Sequence, residues 1–201
     1  MRNVLVVLCV LFIIGIILFF MFFRNNMSKN LKIGNNSTSQ EIVDYILNIS
    51  SYEAKVEVEV KSNKNSNKYI LKQEYKKPDL NSQQVLEPTN IAGTKIVRDG
   101  QDLRIESTNL NLNTVFEKYE YISENCLDLS CFIEDYKKDS NAKFKEENNQ
   151  IIMKTSDSSN SIKSKTLYID KENSMPTKME VVDNNKNTTV YILYNEVNVN
   201  S

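Results

Sequence analysis

Tyr52-Glu53-Ala54-Lys55-Val56-Glu57-Val58-Glu59-Val60-Lys61 alternates without a break. Tyr52, Ala54, Val56, Val58 and Val60 fall on one side of an extended chain, and Glu53, Lys55, Glu57, Glu59 and Lys61 on the other. Successive side chains of a strand point to opposite faces, so this stretch predicts an antiparallel strand with one face on a core and the other in water. A helix would scatter the same residues around its circumference. Similar segments follow. Lys68–Tyr75 is stopped by Pro78, and a strand marked by Val85 and Leu86 ends near Pro88. Thr94–Arg98 and Asp102–Glu106 flank Asp99-Gly100, a dipeptide suited to the positive φ of a tight hairpin turn. Lys143–Glu147 and Gln150–Lys154 flank Asn148-Asn149, and Thr166–Asp170, Thr177–Val182 and Thr188–Val199 complete the series. The last segment is apolar on both registers (Val190, Ile192, Tyr194 against Tyr191, Leu193, Val197, Val199), so both of its faces are expected to be partly covered.

Helical periodicity interrupts the strands in three places. Thr38 and Glu41 form a T-x-x-E capping pattern before Ile42, Val43, Ile46, Leu47 and Ile49, which predicts an amphipathic helix over 39–49. Leu110, Leu112, Val115, Phe116 and Tyr119 are spaced for a helix or an irregular helical turn. Leu127, Leu129, Phe132, Ile133 and Tyr136 predict a further amphipathic helix within Leu127–Lys138. About eight or nine strands joined as hairpins, with no βαβ alternation, give an α+β domain: a curved antiparallel sheet or open half-barrel with helices covering its concave face.

Upstream of this domain lies an uncharged, proline-free apolar run, Val4 to Phe23, between Arg2 and Arg24. At about 1.5 Å per helical residue it matches a hydrocarbon core of roughly 30 Å. No cleavage site of small residues follows it, so it reads as a retained single-pass transmembrane helix or uncleaved signal over 1–23. Cys9 is preceded by Leu8, not a small residue, which argues against a lipoprotein signal. Residues 24–37 read as a polar tether and 38–201 as the folded domain. Positive charge at Arg24, Lys29 and Lys32 would by itself leave that domain in the cytoplasm.

Composition narrows the chemistry. The net charge is −1 with no basic patch, so a nucleic-acid surface is not expected. The chain has no His, which removes the usual general base, triad base and neutral-nitrogen metal ligand. No Gly-rich phosphate loop can be built from Gly15, Gly34, Gly93 and Gly100. Glu57 and Glu59 share a strand face with Lys55 and Lys61 and read as a solvated face, and adjacent Glu134 and Asp135 point in different directions. No catalytic residue, metal site or cofactor is expected. Cys126 and Cys131 are five residues apart, a spacing that on one regular helix separates the Cα atoms too far for a disulfide. Two free, partly buried thiols are the favoured reading, and a local bridge would require Cys126 in the preceding loop. The aromatic cluster around Phe116, Tyr119, Tyr121, Leu129, Phe132 and Tyr136 packs the helical part of the core or walls a cleft or partner-docking surface. Tyr119 and Tyr121 are the better interface candidates, since they fall between the two helical stretches. Long edge strands such as Glu53–Lys61 leave a homodimer open.

The segment KYILKQEYKKP (Lys68–Pro78) and the closing unit LYIDKENSMPTKMEVVDNNKNTTVYILYNEVNVN (Leu167–Asn200) resemble LolA-type lipoprotein-sorting domains. The middle, EPTNIAGTKIVRDGQDLRIESTNLNLNTVFEKYEYISENCLDLSCFIEDYK (Glu87–Lys137), is similar to the clostridial GerS-related family of germination lipoproteins. The resemblance implies a LolA-like half-barrel outside the cytoplasm, against the charge count, at the cell membrane or forespore envelope. It implies a non-catalytic role: binding and activating a zinc amidase of the CwlD type, which begins muramic-δ-lactam formation in spore cortex peptidoglycan. The alternative that it implies is a carrier or sensor of lipid or lipoprotein acyl chains, which requires an open apolar cavity beneath the helices.

Overall fold

The computed structural model describes residues 37–62, 64–118, 127–156, 162–185 and 187–200. Val4–Phe23, most of the tether, Tyr119, Tyr121 and Cys126 lie outside them. Among the described residues no helix is long and apolar enough to cross a membrane.

Among the described residues two helices, α1 (Ser39–Leu47) and α2 (Leu129–Lys138), accompany eleven strands: β1 (Ser51–Lys61), β2 (Ser66–Lys76), β3 (Leu80–Glu87), β4 (Lys95–Asp99), β5 (Asp102–Ser107), β6 (Leu112–Phe116), β7 (Lys143–Glu147), β8 (Gln150–Ser156), β9 (Ile162–Asp170), β10 (Pro176–Asp183) and β11 (Thr188–Asn200). They form one antiparallel sheet in the order β6-β5-β4-β3-β2-β1-β11-β10-β9-β8-β7. Two hairpin meanders thus run outward from the centre, joined where the first strand pairs with the last, with Val58 opposite Ile192. β1 lies between β2 and β11. The expectation that Glu53–Lys61 is an exposed edge able to pair between chains is therefore corrected: its backbone groups are taken on both sides, and the edges are β6 and β7.

The alternation of β1 holds as read. Tyr52, Ala54, Val56 and Val58 are buried while Glu53 and Lys55 are exposed. α1 starts on the expected capping box, with the Glu41 carboxylate accepting from the Thr38 N–H at 2.7 Å and the Thr38 hydroxyl from the Glu41 N–H at 3.3 Å. The predicted helical turn around Leu110–Phe116 is instead a strand, β6, paired with β5 from Leu112 opposite Ser107 to Phe116 opposite Leu103. A spacing of four residues puts Leu112 and Phe116 on one face of either a helix or a strand, and the hairpin turn at Asn111, with φ of 47°, settles the choice.

The sheet curls around α2. β3 and β8 stand six places apart in the order, so at about 4.8 Å per strand a flat sheet would separate them by roughly 29 Å. The helix rises only about 16 Å between its two caps. Yet Asp128 at its start bonds Asn81 on β3 (2.9 Å), and Asp139 at its end bonds Ser156 on β8 (2.7 Å). The expected curved antiparallel sheet with helices on its concave side is what forms. The core lies between them: Ile42, Val43, Ile46, Leu129 and Phe132 from the helices meet Val56, Ile151, Met153, Leu167, Ile169, Met179 and Ile192 from the sheet.

Cys131, expected to be a free thiol, is disulfide-bonded. α2 begins only at Leu129, so the spacing from Cys126 to Cys131 does not lie on one regular helix and the objection to a bridge loses its premise.

Candidate partner-binding site

α2 is held across the concave face by polar contacts at both ends and in the middle. Asp128 caps its first turn. One carboxylate oxygen accepts from the Cys131 N–H (3.0 Å) and the Ser130 hydroxyl (2.5 Å), and the other from the side-chain amides of Asn81 (2.9 Å) and Gln83 (3.3 Å). An Asp at this position satisfies helix N–H groups that have no intrahelical partner. Here the same carboxylate also reaches the sheet, and Asn81, Asp128 and Ser130 are all buried. Near it, the phenols of Tyr52 and Tyr194 are pushed far above their ordinary range by burial first and by the Asp128 charge second. The Tyr194 hydroxyl, and both amide atoms of Gln73, have no hydrogen-bond partner among the described residues.

Midway along the helix, Asp135 pairs at 2.6 Å with Lys165 of β9, whose side chain is wholly buried. At the C-terminal end Asp139 accepts from the Ser156 N–H and hydroxyl (both 2.7 Å), the Thr155 hydroxyl (3.1 Å) and the Asn141 N–H (2.7 Å). These bonds, led by the Ser156 hydroxyl, hold its carboxyl down to about 2. Lys165, Asn81 and Gln83 carry no sequence signal for this role, because a polar residue on an alternating strand shows its partner only once the sheet has curled.

A cleft of about 370 Å³ opens beside the helix pair, lined by Leu47, Ile49, Tyr75, Pro78 and Ile133, with Ser130, Glu134 and Lys137 contributed from α2 and Lys77 from just past the end of β2. The end of β2 meets the chain leaving α1 there, the Lys77 N–H donating to the Ser50 carbonyl at 2.9 Å.

The structure divides the residues expected to form a cleft or partner surface. Leu129 and Phe132 have no exposed surface and belong to the core. Tyr136 is half-buried, its ring 5.9 Å from that of Phe132. Phe116 stands apart on the edge strand β6, 45% exposed, and Tyr119 and Tyr121 lie outside the described residues. The cleft residues Tyr75, Lys77 and Lys137 were not legible as site residues in the sequence. Leu129 and Phe132 of α2 are buried, whereas Leu110, Leu112 and Phe116 are exposed. Among the described residues no group of His, Cys, Asp or Glu could hold a metal ion.

Comparison with known proteins places the whole sequence. Residues 1–201 match the profile of the family described as sporulation protein YdcC-like. The chain belongs to that YdcC-like family. No curated protein matches it. Among solved structures, the YdcC-like chain is similar to a chain in the CwlD amidase–GerS lipoprotein complex from Clostridioides difficile, at 23% identity and a TM-score of 0.51, covering 80% of this chain and 95% of that one. It is also similar to an uncharacterised conserved protein from Thermus thermophilus, at 12% identity and a TM-score of 0.54, covering 82% of this chain and 89% of that one. A LolA-superfamily protein from Nitrosomonas europaea matches at 12% identity and a TM-score of 0.43, covering 82% of this chain and 94% of that one. At these identities the likeness to the first two is one of fold.

Proposed function

We propose that this YdcC-like protein is a non-catalytic binding protein of the sporulating cell envelope. In this reading Val4–Phe23 anchors it, the folded domain lies outside the cytoplasm, and that domain binds and activates a cortex peptidoglycan amidase of the CwlD type. The observation that carries the reading is membership of a sporulation family together with a fold like that found in the amidase–GerS complex. The disulfide at Cys131 supports an oxidising, extracytoplasmic setting, since such bonds are rare where thiols are kept reduced. A helix tied to the sheet at three points suits a rigid platform. Such a platform activates a partner by binding its active conformation more tightly than its inactive one.

The test is a binding and activity assay with full-length protein in detergent and a recombinant CwlD-type amidase from the same organism. Complex formation with raised amidase activity on cortex peptidoglycan is the expected result. Absence of a complex at micromolar concentrations, with normal germination of spores lacking the protein, would remove the proposal.

A further inference from the structure

The cleft beside the helix pair combines features that a purely structural gap does not need. Its floor is apolar: Leu47, Ile49, the Tyr75 ring, Pro78 and Ile133. Two exposed lysines, Lys77 and Lys137, also line it. Lys77 reaches the Asn48 carbonyl at the end of α1 only at 3.4 Å, and neither lysine forms an ion pair among the described residues. Several other lysines on this surface are matched to carboxylates, as in Lys72 with Glu53 and Glu74, Lys171 with Glu146 and Lys178 with Glu180. Burial and the nearby Lys137 charge both weaken the hold of Lys77 on its proton. Glu134, on the cleft wall, already pairs with Lys138 one turn along at 3.8 Å.

We infer that this cleft is a docking site for an acidic–apolar segment of a partner protein: a bulky apolar side chain seated on Ile49, Tyr75 and Ile133, and an adjacent carboxylate held between Lys77 and Lys137. The inference rests on the proposed function in taking the partner to be the amidase. Charge complementarity selects the anion, and the desolvated floor supplies the anchor pocket typical of binding hot spots. Glu134 on the same wall requires a donor beside that anion. A peptide provides one in its backbone N–H groups, whereas an anionic lipid headgroup would face repulsion there.

The experiment compares the full-length protein with a Lys77→Glu/Lys137→Glu variant and a Lys154→Glu control in two arms. In the first, amidase affinity is measured at low and high salt. The double variant is expected to bind at least about tenfold more weakly with a flattened salt dependence, while the control stays within about twofold. Tight wild-type binding that the double variant retains overturns the inference and leaves the proposed function standing. The second arm needs no amidase. It uses a fluorescent peptide alternating Phe and Leu with Asp and Glu, and a counterpart carrying Lys at the acidic positions. Preference for the acidic peptide, lost in the double variant, supports the cleft even where the amidase does not bind. Equal binding or none overturns it, as does capture of decanoate in place of the peptide.

Discussion

The Lys165 ammonium and the Asp135 carboxylate lie 2.6 Å apart, with the lysine side chain wholly buried and the aspartate 17% exposed. The pair joins the middle of α2 to β9 across the concave face. Lys165 occupies a position where the strand otherwise presents Leu167 and Ile169 to the core. Lys165→Met leaves the Asp135 carboxylate mostly buried and is expected to lower unfolding free energy by about 3–5 kcal/mol; Asp135→Asn, which leaves Lys165 its other contacts, should cost less, and a Lys165→Met/Asp135→Leu double variant recovers part of the Lys165→Met loss. Urea unfolding of the four proteins checks this, and additive single losses would show that the two groups do not interact.

Asp139 gives a dependence on acid. Its folded-state pKa of about 2 lies below the usual carboxylate value, so its bonds to Ser156, Thr155 and Asn141 stabilise the fold above about pH 4. That contribution fades as pH falls toward about 2, since protonation removes an acceptor that the native state uses and the unfolded chain does not. Asp139→Asn is expected to flatten this part of the stability–pH curve. A urea midpoint series across the same range reads it directly, and an unchanged slope would place the acid sensitivity elsewhere.

Two phenylalanines from one sequence cluster separate in consequence. Phe132 has no exposed surface, and Phe132→Ala is expected to cost about 3–5 kcal/mol. Phe116 is 45% exposed on the edge strand β6, and Phe116→Ser should change stability by no more than about 0.5 kcal/mol. Thermal unfolding distinguishes them, and a large loss at Phe116 would show that it packs against part of the protein outside the described residues.

Asp128 serves two structures with one carboxylate. Asp128→Ala removes the cap of α2, leaves the buried Ser130 hydroxyl without its acceptor, and leaves the Asn81 amide only the Ser130 hydroxyl oxygen at 2.9 Å. The expected cost is about 2–4 kcal/mol, above the roughly 1 kcal/mol of an exposed cap. Asp128→Asn, which keeps an oxygen acceptor, should lose less. Chemical denaturation of both variants tests the order.

Cys131 is expected to resist alkylation in the native protein until a reductant is added, as mass spectrometry of iodoacetamide-treated samples would show. Labelling without reductant would mean a free thiol.

The strand at Tyr52–Lys61, the capping box at Thr38 and the hairpin at Asp99-Gly100 were determined by the sequence, because each depends on side chains within a few residues of one another. So was the antiparallel, hairpin-rich class of the domain, which follows from alternation and turns repeated along the chain. Tertiary structure alone decided the rest. Leu112–Phe116 satisfied both helical and strand spacing, and pairing with β5 broke the tie. β1 became central because its partner β11 lies at the far end of the chain, a contact that no local pattern announces. The polar residues that hold α2 acquired their partners only when curvature carried β3, β8 and β9 around the helix. Local physics sets how each segment folds, and long-range closure of the sheet sets which side chains meet.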